Sequence, residues 1–378
     1  MSAAAETGVI VIGGGIAGAG AAYEISRFAR VVLLERESVC GYHTTGRSAA
    51  SFTENYGNGV IRRLVLASRA FLAEPPAGFA EHPLLAKRGI VTIARRDQLD
   101  LLAKALDTAR ELVGSIAAIT PAQAMARIPV LREDYVAGAF VEPHAMDLDV
   151  NGLHQGYLRG ARARGARVVT SAEAMGIGRQ AGQWQVETRA GTFLAPLVVN
   201  AAGAWGDAVA AMAGVRPLGL QPKRRTAFNI PAPPDTTIAA WPLVDDVGAE
   251  FYFKPDAGQL LVSPSDATPS EPMDAYPDDM DVAIGVERLS QATTIEVRRV
   301  TRAWAGLRTF VADGSPVVGP DDRVPDFIWL VGQGGYGIKT SPALSRICAS
   351  LVLGKGIPAD IERRGVTLAD LAPQRLRA

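Results

Sequence analysis

The chain has little cysteine, no excess of charge of either sign, and no long uninterrupted apolar run. Cys40 and Cys348 are its two cysteines, too few for a disulfide framework or for a zinc site on their own, and their scarcity fits a reducing compartment. Its 39 basic residues are balanced by 39 acidic ones, which removes the electrostatic footing of a general nucleic-acid binder. Only Lys223-Arg224-Arg225 is locally basic. No stretch of about 20 apolar residues is free of Gly, Pro and charge, so no integral membrane helix is expected. Residues 8 to 23 imitate a signal-peptide core, but no basic residue precedes them and glycines interrupt them. The expectation is a soluble, cytoplasmic protein with no metal site, touching a membrane at most peripherally for electron transfer.

What is present is ample core material: 48% of 378 residues are hydrophobic, enough for about two domains. Val9-Ile10-Val11-Ile12 reads as a buried strand, Gly13 to Gly18 as a glycine turn, Ala19 to Phe28 as a helix, and Val31-Val32-Leu33-Leu34 as a second buried strand ending at Glu35. This is a βαβ unit. A Gly/Ser/Thr-rich loop follows from Gly41 to Ser51. Helical patterns cover 59–73, 97–113, a start at 121–126 capped by Thr120, and 150–163; strands are expected at 89–94, 166–170, 184–188, 192–194 and 197–200. From Leu218 to about Val300 prolines punctuate short β-rich runs, the mark of an antiparallel sheet. Phe327 to Val331 is one more buried strand, and a second glycine turn, Gly332 to Gly337, runs into a helix of small residues, Ser341 to Val352.

Gly13, Gly15 and Gly18 form a G-x-G-x-x-G run that follows a strand and opens a helix. Glycines there permit a tight turn and close approach of backbone to a pyrophosphate, and the Glu35 carboxylate accepts a hydrogen bond from a ribose hydroxyl. The arrangement predicts dinucleotide binding. An acid at 35 disfavours the 2′-phosphate of NADP; NAD and FAD both fit.

The run from Gly41 through His43, Thr44 and Arg47 to Ala50 resembles the FAD-contacting loop of the D-amino-acid oxidase-like flavoproteins. Three further segments agree in order and spacing: Asn200 to Trp205, Ala303 to Arg308 with Asp313-Gly314-Ser315-Pro316, and Gly332 to Gly337. Residues 214–225 and 251–258 are most similar to the D-arginine dehydrogenase branch. The resemblance implies an α/β fold with a discontinuous Rossmann-like FAD-binding domain (1–75, 148–222 and 300–378) and an α+β substrate domain on an antiparallel sheet (76–147 and 223–299). It implies non-covalent FAD held by Gly13, Gly15, Ala17, Gly18, Glu35, Arg36, Thr44, Thr45, Gly46, Arg47, Ser48, Ala49, Ala50, Ser51, Ala174, Gly203, Gln333, Gly334, Gly335, Tyr336, Gly337 and Ile338. His43 is expected to be a hydrogen-bonding loop residue rather than a covalent flavin anchor.

The same resemblance implies a substrate carboxylate clamped by Arg308, with Arg225 as a second cation, Tyr252 and Tyr56 lining the pocket, and the Gly335 carbonyl facing the substrate amine. A guanidinium suits this task because its donors match the carboxylate fork. The D-arginine type presents a carboxylate near Gly89; here Ile90 stands there, with no acid between Glu81 and Asp97. An unpaired buried guanidinium is costly, so a neutral or apolar side chain is expected over D-arginine. The implied reaction is oxidation of the Cα–N bond of an amino acid, D by expectation, by hydride transfer from Cα to flavin N5, giving an imino acid and then a 2-oxo acid and ammonia. N-methyl amino acids and 2-hydroxy acids are the alternatives on the same scaffold; a non-catalytic dinucleotide-binding regulator or an NAD-dependent dehydrogenase are the rivals from other classes. The electron acceptor, O₂, a quinone or a carrier, stays open.

Overall fold

The computed structural model describes residues 5–111 and 113–377. Residues 1–4 and 378, at the ends of the expected first domain, and Leu112, inside the expected helix 97–113, lie outside the described residues. The fold is a mixed α/β architecture built on two large sheets.

The first sheet has six strands in the spatial order Arg167–Val169, Val31–Leu34, Val9–Ile12, Leu197–Asn200, Phe327–Val331, Val317–Pro320. Its first five strands run parallel and the last is antiparallel. Val9–Ile12 and Val31–Leu34 are buried at every position, as the continuous apolar runs require of a sheet covered on both faces. Three helices cover one face: Ile16–Ile25, Val150–Ala163 and Gly337–Val352. Small residues allow the close approach between the first and last of these, since a Cβ on Gly20 would lie 2.1 Å from the Ser345 hydroxyl. Pro342 sits inside the last helix and removes the N–H that would serve the Ile338 carbonyl; the Ser341 hydroxyl donates to that carbonyl instead, at 2.9 Å.

The second sheet has eight strands, in the order Arg302–Phe310, Gln221–Pro231, Gln259–Ser263, Tyr252–Asp256, Leu243–Asp246, Ile90–Ala94, Gly138–Glu142, Ala117–Ile119. Every pairing is antiparallel except that of Leu243–Asp246 with Ile90–Ala94. The proline-punctuated region thus forms the antiparallel core foreseen from its composition. The strand Arg302–Phe310, which the sequence division assigns to the first domain, pairs over nine residues with Gln221–Pro231 of this sheet. Its far end therefore delivers residues of the second sheet to the first. The helix foreseen at 97–113 is a 3₁₀ turn, Arg96–Gln98, followed by Leu99–Arg110.

Candidate active site

The first glycine turn is built for close approach. Gly13 has φ +105°, and a Cβ there would stand 2.5 Å from the Ala201 carbonyl oxygen; a Cβ on Gly18 would stand 1.9 Å from the Gly13 carbonyl oxygen. Gly18 thus serves the packing of helix on turn and does not itself face the cleft. The buried Glu35 carboxylate accepts from the backbone N–H of Gly14 at 2.7 Å and of Glu37 at 2.9 Å, and its burial raises its pKa. His154 supports the turn from behind, with its Nε2 2.9 Å from the Gly14 carbonyl oxygen.

From this turn a cleft of about 1580 Å³, its open mouth included, runs between the two sheets. Gly13, Gly15, Ala17, Glu35, Arg36, Thr44, Thr45, Arg47, Ser48, Ala49, Ala174, Gly203, Gln333, Gly334, Gly335, Gly337 and Ile338 line it together, with Arg225 and Arg308. Five of the expected cofactor residues lie outside its lining: Gly18, Gly46, Ala50, Ser51 and Tyr336. Gly46 closes the loop on itself by donating to the Gly41 carbonyl at 2.7 Å, Ala50 packs on the core, and Ser51 pairs with Asp147 in a short strand. Tyr336 precedes the helix Gly337–Val352 and places its ring 5.1 Å from that of Tyr56.

Sequence reasoning missed the far wall of the cleft, formed by Trp205, Val209 and Met212. The Arg36 guanidinium lies 4.9 Å from the Trp205 ring. His43 rests against the other side of this group, 4.7 Å from Trp205, with Nε2 2.9 Å from a Glu37 carboxylate oxygen. The apolar spacing of helix Gly206–Met212 carried the signal for this wall.

At the opposite end the second glycine turn folds over the strand Arg302–Phe310. Gly334 has φ +52°, and a Cβ there would meet the Phe310 ring at 2.3 Å; its N–H donates to the Thr309 carbonyl at 2.8 Å. Gly335 lies against Arg308, whose Nη1 would be 3.2 Å from an added Cβ. The helix Gly337–Val352 begins here, so its N-terminal positive end faces the cleft.

A cleft with a strand-turn-helix nucleotide cradle at one end and arginines at the other has a counterpart among known proteins. Residues 8–351 match the family described as FAD dependent oxidoreductase. The chain belongs to that family. Relatives in it include FAD-dependent oxidoreductase domain-containing protein 1 of Bos taurus, 24% identical over 91% of this chain and 81% of the relative, and sarcosine oxidase subunit beta of Rhizobium meliloti (strain 1021), 26% identical over 93% and 85%. The crystal structure of glycine oxidase from Geobacillus kaustophilus superposes with a TM-score of 0.83 at 24% identity, covering 93% of this chain and 95% of that one. The branch resembling D-arginine dehydrogenase is not singled out by these relatives.

The cradle fits the FAD on which the family depends. Gly13 and Gly15 line the cleft without a side chain of their own, Glu35 holds a carboxylate at the end of the second strand, and the cleft continues past the turn to the two arginines. Among the described residues no cluster of His, Cys, Asp or Glu could hold a metal ion, and no helix is long and apolar enough to cross a membrane.

The far end of the cleft of this flavoprotein is lined by two half-buried arginines, Arg225 and Arg308. Strand alternation separates the basic run: Arg224 pairs with Asp281 at 2.7 Å on the outer face, while Lys223 and Arg225 face inward. Lys223 lies 5.5 Å from the Phe310 ring. Arg225 donates to the Asp266 carbonyl at 2.6 Å; burial, and then repulsion from Arg308, push its pKa down, while Tyr252 and Tyr56 are near enough to pull it up. Arg225 and Arg308 thus line the cleft together, while Tyr252 and Tyr56 lie near Arg225 but outside the lining of the cleft. Tyr252 packs against an apolar patch of Ile90, Ala145 and Leu243. Lys339, 4% exposed, points its Nζ at the Thr53 carbonyl (3.4 Å) and over the Tyr56 ring (4.7 Å), and burial pushes its pKa down to about 7. Glu142, which accepts from the Thr53 hydroxyl at 2.8 Å, stands close enough to counter that shift. The cysteines have no place in the site chemistry: burial pushes the Cys40 thiol up to about 11 and that of Cys348 up to about 12, so neither is a thiolate at neutral pH.

Proposed function

We propose that this flavoprotein carries out FAD-dependent oxidative deamination of an amino acid, of D configuration by the resemblance that its sequence bears. The observation that carries the reading is the pair Arg308 and Arg225 at the end of a dinucleotide cleft, with Tyr252 and Tyr56 near Arg225 and no carboxylate hydrogen-bonded to Arg308 among the described residues. Two cations without a full complement of anions, in a half-buried position, call for an anionic ligand. A carboxylate gripped by Arg308 and completed by tyrosine hydroxyls fixes the attached Cα in one orientation. The Gly335 carbonyl, of the residue beside Arg308, would accept from the amine of the same substrate. Bound FAD supplies the acceptor for the two electrons and the hydrogen that leave Cα. The imino acid that remains hydrolyses to a 2-oxo acid and ammonia. Relatives named for glycine and sarcosine support an amine as the group oxidised.

The patch of Ile90, Ala145 and Leu243 supports an aliphatic stem on the substrate, which is the part of the neutral-side-chain expectation with a physical footing here. His43, engaged by Glu37 and Trp205 beside the ribose carboxylate, supports non-covalent FAD. The reading leaves the acceptor as O₂, a quinone or a carrier, in the cytoplasm or at a membrane surface. The test is anaerobic reduction of the purified yellow protein by D- and L-amino acids, glycine, sarcosine and 2-hydroxy acids. Rapid bleaching by amino acids is the expected result. Bleaching by 2-hydroxy acids alone, or by nothing offered, would overturn it.

A further inference from the structure

The segment between Glu81 and Asp97 lacks an acid, but the sheet face that it joins does not. Leu243–Asp246 lies between Ile90–Ala94 and Tyr252–Asp256, and its register sets Asp245 beside Thr92 on one side and Tyr252 on the other. Side chains of cross-strand pairs share a face. Asp245 therefore projects on the same side as Tyr252, Leu243 and Ile90, the side on which the strand register also sets Arg225 and Arg308. Its neighbour Asp246 points the other way, where its carboxylate accepts from Gly248 and Gln98.

The other acids of this face are occupied. Asp147 bonds Lys254 at 2.9 Å and Arg88 at 2.7 Å, and Glu142 is held by Thr53 and faces Lys339. Asp245 is half-buried and, among the described residues, receives no hydrogen bond and no ion pair; Arg225 attracts it only from a distance. Its strand is three steps across the sheet from that of Arg225, roughly 14 Å at the usual strand spacing, with Tyr252 between, while Leu243 sits on Asp245's own strand and Ile90 beyond it. A substrate whose carboxylate meets the arginines lays its side chain past Tyr252 and reaches Asp245, beside Leu243, with the end of that chain.

We propose that Asp245 is a specificity-determining residue that binds a cationic group at the end of an aliphatic substrate side chain, so that the preferred amino acids are of the lysine, ornithine or arginine type. This rests on the proposed amino-acid oxidation, keeps the aliphatic stem, and replaces the neutral terminus expected from the sequence.

The experiment uses the FAD-loaded wild type and its Asp245→Asn, Asp245→Ser and Asp245→Glu variants, each first shown to keep the wild-type flavin spectrum. Binding of 6-aminohexanoate and of hexanoate, which differ only in the distal amine and have no α-amine to oxidise, is read from the shift of the flavin absorbance. Wild type is expected to prefer 6-aminohexanoate at least tenfold, with the ratio collapsing toward one in Asp245→Asn and Asp245→Ser and returning in part in Asp245→Glu. In turnover, Asp245→Asn is expected to raise KM for D-lysine or D-arginine at least tenfold and to change D-norleucine less than threefold. Equal binding of the two carboxylates by wild type overturns the proposal. So does an equal loss for every amino acid in Asp245→Asn, which would assign Asp245 to the α-amine. Absence of bleaching by any amino acid, with the binding ratio intact, would fell the proposed reaction while leaving the cation subsite standing.

Discussion

Arg308 and Asp245 illustrate how differently two charged residues of one pocket stand in the sequence and in the fold. Arg308 is legible because it belongs to a run whose spacing to the second glycine turn is itself informative, and the turn indeed sets Gly335 against its guanidinium. Replacing it by Met removes charged hydrogen bonds to the substrate carboxylate, and kcat/KM is expected to fall by roughly 10²-fold or more, ~3 kcal/mol; steady-state kinetics with the best substrate of the panel check this. Asp245 is illegible along the chain, because only strand register brings it beside Thr92 and Tyr252. Burial, with Asp246 adding repulsion, pushes its carboxyl up to about 7. A carboxyl whose folded pKa lies above its unfolded value near 4 costs nothing at pH values below both. Its cost grows as pH rises from about 4 to 7 and is complete above 7. Asp245→Asn removes that cost, so the variant is expected to be no more stable than wild type near pH 4 and more stable above pH 7, by on the order of 2–4 kcal/mol. Urea unfolding at pH 4 and pH 8 measures the difference.

At the scale of elements, the βαβ unit and the small-residue helix were readable because burial on both faces leaves strands with uninterrupted apolar runs and close helix packing leaves glycine and alanine. Helix Val150–Ala163, helix Gly59–Ala73 and strands Leu197–Asn200 and Phe327–Val331 match their expected limits. The first helix starts earlier than its alanines suggested, at Ile16, because the glycine turn itself supplies its opening residues. The wall of Trp205, Val209 and Met212 went unseen since a short amphipathic helix looks the same whether its apolar side meets a core or a ligand. The second glycine turn is the element most exposed to a single change. Gly334→Ala places a methyl within the Phe310 ring and an alanine at φ +52°. A loss of ~2–3 kcal/mol is expected, with weaker FAD retention, both visible as a lowered melting temperature and a colourless fraction on gel filtration.

Across the whole molecule, the nucleotide loop is tied to the substrate sheet. Arg47 donates to the carbonyls of Ala275 and Ala305 at 2.7 and 3.0 Å and pairs with Asp274, Thr44 donates to the Leu307 carbonyl at 2.7 Å, and the Trp304 indole donates to the Arg47 carbonyl at 3.0 Å. Arg47→Ala cuts three of these ties and is expected to speed FAD release by at least tenfold, the worth of about one charged hydrogen bond transmitted to the loop, measured as recovery of flavin fluorescence on dilution. The membership of strand Arg302–Phe310 in the second sheet could not be read from the sequence, because its pattern suits either sheet. The six-stranded sheet has a further consequence. Its strands come from residues 9–34, 167–200 and 317–331, and the turn that completes the cleft follows the last of them. During synthesis on the ribosome the first glycine turn emerges some 300 residues before the strand and helix that close its site. FAD capture must therefore await nearly the whole chain, and a nascent polypeptide halted before Phe327 should emerge unable to retain the cofactor.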